Sequence, residues 1–365
     1  MKRNLLFLLL SLAGLLQGCG RSVPEYHPVE TPQRLSAWNL MTLAGNEVAL
    51  NDSVLLFRPR NTLFSDYAHK MRFIWIPEGL QIEVVGDKLN YPVGTILGKT
   101  FYYPVNEQGY PVRRRDSGNL SRLSNREYRL IETRLLVRRQ TGWEAFPYVW
   151  NEEQTEAFLR VAGSSMPVTL AEANGSRTFT YFVPNENQCS GCHTRVHPDG
   201  GLEPLGAVAH QLNYRLNTSD EEPQTVLAGM QARGWLATPP ELSVVPSWED
   251  DNLSLTERAR AYLDINCGHC HNPDGAADTS ALLLDGFDRT YRQMGMCKPP
   301  VAAGGGAGDR LFGIVPGLPE QSIMLYRMQS IAPDEMMPEL GRTLVHEEGV
   351  ALISEWIASL DGSCG

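Results

Sequence analysis

The motif Cys-x-x-Cys-His occurs twice in this chain, 78 residues apart, and constrains the fold more than any other feature. The two copies consist of Cys189, Cys192 and His193, and of Cys267, Cys270 and His271. The motif is the attachment signature of c-type haem, because its thiols form thioethers with the two vinyl groups and its histidine ligates the iron. Two copies predict two covalently attached haems.

Two other kinds of site use paired cysteines. Four-thiolate zinc sites place their pairs closer together than these two motifs, and they give no reason for a histidine after each pair. Redox-active disulfides of the thioredoxin type lie in a β-α-β pattern, which neither motif shows. Haem attachment is therefore the favoured interpretation, with zinc and dithiol chemistry as alternatives.

Residues 1–18 have the layout of a signal peptide. Lys2 and Arg3 form a positive n-region, and the apolar run at 5–16 is too short for a transmembrane helix. The next residues resemble a bacterial lipobox, whose cysteine would be Cys19. We expect lipid anchoring in the bacterial cell envelope, facing the periplasm, and Gly20 favours the outer membrane. An ordinary secretory signal is the alternative.

The remaining cysteines also suggest an oxidising compartment. The chain has seven cysteines, of which Cys19 is assigned to lipid and four to haem. Cys297 and Cys364 are left, and an exported pair is expected to form a disulfide. Two free thiols are the alternative, because the sequence does not give the distance between them.

The charge of the chain is uneven. The net charge is −10, and residues 166–365 carry 12 Lys and Arg against 26 Asp and Glu. Nucleic acid is therefore excluded as a partner. A basic redox protein could be steered to the acidic part, although an acidic surface also serves solubility alone.

Local patterns predict strands in the first half and helices in the second. Apolar and β-branched runs predict strands at 73–76, 80–85, 101–103, 128–137 and 179–184. Helical spacing predicts helices at 152–159, 225–235, 255–266 and 345–360. No ligand or catalytic motif is visible before residue 184.

Candidate distal ligands follow from the residues around the motifs. The stretch 335–340, which precedes a predicted helix, resembles the methionine loop of class I cytochromes c. This resemblance implies that Met337, which the following proline holds extended, ligates the second iron, with Met336 as the alternative. For the first iron, Met230, His210, His197 and Met166 are all candidates, and an open position is a further alternative. His269 lies between two attached cysteines and is expected to face solvent.

The chain resembles a largely uncharacterised family of exported proteobacterial di-haem c-type cytochromes. The matching stretches are 63–68, 91–95, 149–153, 187–189, 315–322 and 337–342. The end of the chain, with a helix running into the motif and a Met-Pro loop, resembles a class I cytochrome c domain. The resemblance implies that the six motif residues carry haem, and that an exported β-helix protein is a partner.

These observations together predict an α+β fold, with a β-rich N-terminal domain followed by a mainly α-helical di-haem cytochrome c region. The expected parts are a lipoprotein signal peptide at 1–18, a tether at 19–60, a β-rich domain of unknown role at 61–183, a first haem module at 184–245 and a class I-like domain with the second haem at 246–365.

The favoured function is electron transfer between redox proteins, without a catalytic side chain. The alternative is a di-haem peroxidase or oxidase, which needs one iron with an open distal side. A haem-based sensor or binding module is the third interpretation, since the β-rich part has no assigned role.

Overall fold

The computed structural model describes residues 23–115, 120–172, 175–216, 224–301 and 303–365. Cys19 and the predicted signal peptide therefore lie outside the described residues. Strands make up 27% and helices 20% of the structure, so the chain is β-rich as a whole.

The described residues form fifteen strands, of which the first three are short and the longest lie between residues 69 and 183. Their bounds are β1 (Met41–Ala44), β2 (Glu47–Leu50), β3 (Leu55–Phe57), β4 (His69–Trp75), β5 (Glu83–Val85), β6 (Lys88–Asn90), β7 (Ile96–Pro104), β8 (Arg122–Ser124), β9 (Tyr128–Arg138), β10 (Trp143–Trp150), β11 (Ala157–Leu159), β12 (Ser164–Glu172), β13 (Gly175–Val183), β14 (Arg215–Leu216) and β15 (Gln224–Thr225).

A six-stranded antiparallel sheet forms the centre of the molecule, in the order β11-β10-β9-β7-β4-β3. Smaller sheets pair β1-β2-β8, β12-β13, β5-β6 and β14-β15. β9, which the run at 128–137 predicts, forms a hairpin with β10.

Both faces of the six-stranded sheet are covered, which explains why its strands are rich in apolar residues. One face packs on the segment before β3, with Trp38, Phe73 and Tyr148 fully buried. On the other face, Leu97 and Leu136 pack against helices that follow residue 184, and the β12-β13 hairpin covers a neighbouring area. The central sheet therefore separates two cores.

Gly98 in β7 permits one of these close contacts. A Cβ atom at this position would lie 2.1 Å from the ring of Phe73 on the neighbouring strand. Since real Cβ atoms do not approach a ring so closely, only glycine allows Phe73 to lie across β7 in this way.

Six helices follow the sheet in the described part of the chain. They are α1 (Glu186–His193), α2 (Ala209–Leu212), α3 (Val226–Ala232), α4 (Leu255–Cys267), α5 (Ile323–Gln329) and α6 (Glu347–Ala358). Capping boxes begin α1, at Asn185 and Gln188, and α4, at Ser254 and Glu257. The predicted helices at 225–235, 255–266 and 345–360 are confirmed with slightly different ends.

The prediction of a mainly helical di-haem cytochrome c region is wrong. Between α4 and α5 the chain forms no α-helix in its described residues, only short 3-10 turns and loops. Prolines and glycines in this stretch, among them Pro299, Pro300 and the glycines at 304–306, oppose helix formation. The C-terminal part is therefore an irregular structure around α4, α5 and α6, and not a helical cytochrome domain.

The predicted tether and entry segment at 19–60 leads into the sheets through β1, β2 and β3. One further expectation differs from the structure. The predicted helix at 152–159 is wrong: turns lead into β11 there. The side chain of Gln154 accepts a hydrogen bond from Leu130 N at 2.7 Å and donates one to Leu130 O at 3.2 Å, which fixes the turn.

The segment before β4 connects the sheet to the C-terminal part. Asp66 accepts hydrogen bonds from the backbone N–H groups of Thr343 and Leu344, both at 2.7 Å. The ring of Phe64 stacks on His346 with centroids 4.2 Å apart, and Nδ1 of His346 lies 3.0 Å from the hydroxyl of Tyr262 in α4. These contacts fix α4 and α6 beside the sheet.

Candidate functional site

A cavity of about 440 Å³ lies between the six-stranded sheet and the two Cys-x-x-Cys-His segments. Cys189, Cys192 and His193 of the first motif line it, together with Cys267 of the second. Most of the lining surface is apolar, as is usual for sites that bind large organic groups. The structure therefore brings residues of both motifs to one cavity.

The first motif is held by α1, which ends at His193. Cys189 is buried and packs in the core beneath the sheet, so the helix cannot turn freely. Nδ1 of His193 lies 2.7 Å from the carbonyl oxygen of Glu203, to which it donates in the tautomer protonated at Nδ1. That tautomer leaves Nε2 as the basic nitrogen, which is the usual arrangement for a ligating histidine.

The second motif begins in the last turn of α4 and directly adjoins the first. The thiol of Cys270 lies 3.5 Å from the carbonyl oxygen of Gly191, inside the first motif. Nδ1 of His271 lies 3.5 Å from the hydroxyl of Ser280, which is a long contact. The two motifs, far apart in sequence, are therefore in contact in the structure.

Burial sets the protonation of the motif residues. It raises the pKa of all four thiols, to about 12 for Cys267 and Cys270. Burial is also the first cause that lowers the pKa of His193 to about 3 and of His271 to about 4; Lys99 adds to the effect at His193 and Arg327 at His271. Both imidazoles are therefore neutral at pH 7, as metal ligands must be.

A row of cations forms the sheet wall of the cavity. Arg72 in β4 lies opposite Lys99 in β7, and Lys99 lies opposite Arg134 in β9. All three line the cavity. None of the three is among the predicted site residues, although Lys70 and Arg72 alternate with apolar residues within a buried strand, which is an unusual pattern. The β-rich part thus contributes charged groups to the site.

One buried carboxylate accompanies this row. Glu132 in β9 is fully buried and forms two hydrogen bonds with the guanidinium of Arg134, the Nε–Oε2 bond being 2.7 Å long. The hydroxyl of Tyr181 in β13 donates to Oε1 of Glu132 at 2.7 Å. This triad connects the central sheet to the β12-β13 hairpin.

The loop that carries Met337 is fixed by Arg342. The Nη2 group of Arg342 donates to the carbonyls of Met337 at 2.8 Å and of Ser330 at 2.9 Å, while Met337 N donates to Arg327 O at 2.9 Å. Met336 and Met337 both line the cavity. The predicted methionine ligand therefore lies on a fixed loop beside the cysteines.

The candidates for the first iron lie elsewhere. Met230 is fully buried in α3 among apolar residues, and His210 lies in α2 near Asp264 and Asp87. Neither is among the described residues that line the cavity. His269 does line it, and its buried Nδ1 makes no hydrogen bond within the described part, so the expected solvent-facing position is wrong.

The remaining cysteines form a disulfide between Cys297 and Cys364, with Cα atoms 5.0 Å apart.

The described residues contain no group of three or more His, Cys, Asp or Glu side chains that could hold a metal ion. Within the same residues, no helix has the length and apolar character needed to cross a membrane.

Comparison with protein-family models, curated proteins and solved structures found no match to this chain. The resemblance to exported di-haem cytochromes therefore stays a prediction that depends on the sequence motifs.

Proposed function

We propose that this protein is a c-type cytochrome that carries two covalently attached haems and transfers electrons between redox proteins. The observation that carries the proposal is the contact between the two motifs, where the Cys270 thiol lies 3.5 Å from Gly191 O. Groups attached at motifs in contact can exchange electrons directly, which a two-haem carrier requires.

The residues of the site fit the haem group. The cavity is mainly apolar, as a porphyrin requires, and the four motif thiols are free. His193 and His271 are neutral at pH 7 and half-buried, and the Glu203 carbonyl orients the ring of His193. A cationic wall in an apolar cavity suits a planar group that carries carboxylates at one edge.

When bound, haem supplies an iron that cycles between the ferrous and ferric states. The chain fixes the thiols on α1 and at and just after the end of α4, and one imidazole in each motif would hold the iron. The sheet and the loop around Met337 line the cavity that would take the group. No acid–base pair is needed for this reaction.

Met337 is proposed as the distal ligand at the second iron. Its loop is held by Arg342 and hydrogen-bonded to Arg327, and Arg327 in turn acts electrostatically on His271. A histidine and methionine pair raises the reduction potential relative to two histidines. Met336, the alternative, is 8% exposed and packs beside it.

His269 is proposed as the distal ligand at the first iron, in place of Met230 and His210. It lines the same cavity as His193. Burial, followed by His271, lowers the pKa of His269 to about 4, so its ring is neutral at pH 7, as a metal ligand must be.

Mass spectrometry of the exported protein tests the proposal. The chain should carry the added mass of two haems, and Cys192→Ala or Cys270→Ala should each reduce covalent attachment at one motif. Cys364→Ser is the matched control, since this cysteine is in the disulfide, and it should retain both haems. A chain without added haem mass, or one that holds zinc at these thiols, would refute the proposal.

Spectroscopy of the ferric protein tests the His269 assignment. His269→Ala should convert one of two low-spin irons to high spin, and added imidazole should restore it. The control is His197→Ala, because His197 is exposed and lies four residues after the first motif. Two unchanged low-spin signals in His269→Ala would rule out the assignment.

We also propose, from the sequence, that Cys19 carries a lipid and that the protein resides in the bacterial cell envelope. The proposed partners are a basic redox protein and an exported β-helix protein. Cys19→Ala should release the protein from membranes into the soluble fraction. Membrane attachment that persists in this variant would contradict lipid anchoring.

A further inference from the structure

The start of the globular part packs on the face of the six-stranded sheet that lies opposite the cavity. Successive side chains of a strand point to opposite faces, so β7 presents Ile96 on one face and Leu97 on the other. Ile96 shares a core with Trp38 of the N-terminal segment, residues 23–40. Leu97 lines the cavity and shares a second core with Cys189 of the first motif. The sheet therefore lies between the N-terminal segment and the cavity.

Further contacts fix the N-terminal segment on this face. Tyr26 packs against the same core, and the ring of His27 meets Trp38 edge-on with centroids 5.0 Å apart. At the edge of the sheet, the N–H group of Leu159 in β11 donates to the carbonyl of Gln33 at 3.0 Å. The segment therefore cannot move to the cavity side without breaking these contacts.

Three valines of this region are exposed. Val23 is 67% exposed, Val29 is 85% exposed and Val161 is 61% exposed. Val161 belongs to the region because it follows β11 by two residues, and β11 is bonded to the segment at Leu159. Single exposed apolar residues are common, whereas a group of them on one side of a protein marks a surface that contacts a membrane or another protein.

The proposed lipid site identifies the occupant of this surface as a bilayer. Cys19 precedes Val23 by four positions, which span at most about 14 Å even when fully extended. A lipid on Cys19 would therefore hold the valines close to the headgroups, where insertion of apolar side chains is favourable. Glu25 and Glu30 are exposed and oppose attraction to anionic lipids, so the contact depends on the lipid and the valines.

We propose that Val23, Val29 and Val161 lie against the bilayer, so that the central sheet stands between the membrane and the cavity. This inference rests on the proposed lipid anchoring at Cys19, and it adds the orientation of the protein and the kind of partner. A cavity on the far side of the sheet faces the aqueous phase. The electron partner is then a globular redox protein, free or tethered, and not a quinol dissolved in the bilayer.

Thiol labelling of the lipidated holoprotein in phosphatidylcholine vesicles tests the contact. The reagent is a maleimide attached to a polymer that cannot enter the bilayer. Labelling of Val29→Cys and of Val161→Cys should be about tenfold slower than in the same variants carrying Cys19→Ala, because headgroups shield the inserted side chains. The matched control is Val196→Cys, which is exposed three residues after the first motif and should react equally fast in both forms.

The outcomes separate this inference from the anchoring itself. Equal labelling of both forms at positions 29 and 161, in protein that still sediments with the vesicles, would overturn the contact and leave the anchor. Protein that does not sediment with the vesicles would overturn both. Slower labelling of Val196→Cys in the anchored form would place the cavity side against the bilayer and overturn the orientation. The labelling does not require haem, so a failure of the proposed electron transfer is seen separately, as absent haem mass.

Two redox reagents test the kind of partner. Ferricyanide takes one electron from each ferrous iron, and its rate constant should differ by less than about twofold between the anchored protein and Cys19→Ala, because the cavity stays open to water. A hydrophobic quinol dissolved in the vesicle bilayer should not reduce the anchored ferric protein. Reduction by this quinol that Cys19→Ala abolishes, or a larger decrease of the ferricyanide rate on anchoring, would show that the cavity faces the bilayer.

Discussion

Replacing Arg134 by methionine should destabilise the protein by about 3–5 kcal/mol, because the change leaves the carboxylate of Glu132 buried and uncompensated. Glu132 is fully buried, and Arg134 forms two hydrogen bonds with it. The Tyr181 hydroxyl at 2.7 Å is then the remaining donor to that carboxylate among the hydrogen bonds described here. One neutral donor stabilises a buried charge much less than a guanidinium does.

A double-mutant cycle isolates this pair. Glu132→Gln together with Arg134→Met removes both charges but retains an acceptor for Tyr181, so the double variant should lose only about 1–2 kcal/mol. The free energies of unfolding are measured by urea titration of the holoproteins, with circular dichroism as the signal. The comparison requires that the free energy of unfolding depends on urea concentration with the same slope in every variant. The explanation is wrong if Arg134→Met costs less than about 1 kcal/mol, or if the double variant loses the sum of the single losses.

Three other changes have defined outcomes. Met337→Ala should abolish the near-infrared sulfur-to-iron band of the ferric protein, whereas Met336→Leu should keep it; retention of the band in Met337→Ala refutes the ligand assignment. Cys364→Ser should lower the free energy of unfolding by about 2–4 kcal/mol, because the disulfide closes a loop between residues 67 apart; equal urea midpoints would contradict this. Burial lowers the pKa of His346, although Glu348 opposes this, so the folded protein holds the ring neutral while the unfolded chain protonates below about pH 6.5. Stability should therefore decrease by up to about 1.4 kcal/mol per pH unit below that value, and His346→Gln should show a shallower decrease in urea midpoints measured across this range.

The elements that the sequence predicted correctly are those with local signals. Helical spacing at 255–266 predicts α4, whose start Ser254 and Glu257 mark through a capping box, and the apolar run at 128–137 predicts β9. The error at 152–159 has a tertiary cause, since the side chain of Gln154 bonds the backbone of Leu130 in a neighbouring strand. No local pattern contains that contact.

The larger error concerned the C-terminal part. The helical spacing at 255–266 and 345–360 predicts α4 and α6, and both helices are present. They do not make a helical domain, because the segment between them is rich in proline and glycine. The motif residues of the site were visible in the sequence, because their chemistry depends on local spacing. The row of Arg72, Lys99 and Arg134 was not, because it depends on the register of three strands.

The first described residues show that the globular part begins soon after the proposed lipid site. Pro24 is already buried, and the N–H group of Glu25 donates to the carbonyl of Trp38 at 3.0 Å. Five residue steps separate Cys19 from Pro24, which span at most about 18 Å even when fully extended. A lipidated chain would therefore keep the start of its globular part within about 18 Å of the bilayer surface, where a partner anchored in the same membrane could meet it by diffusing in two dimensions.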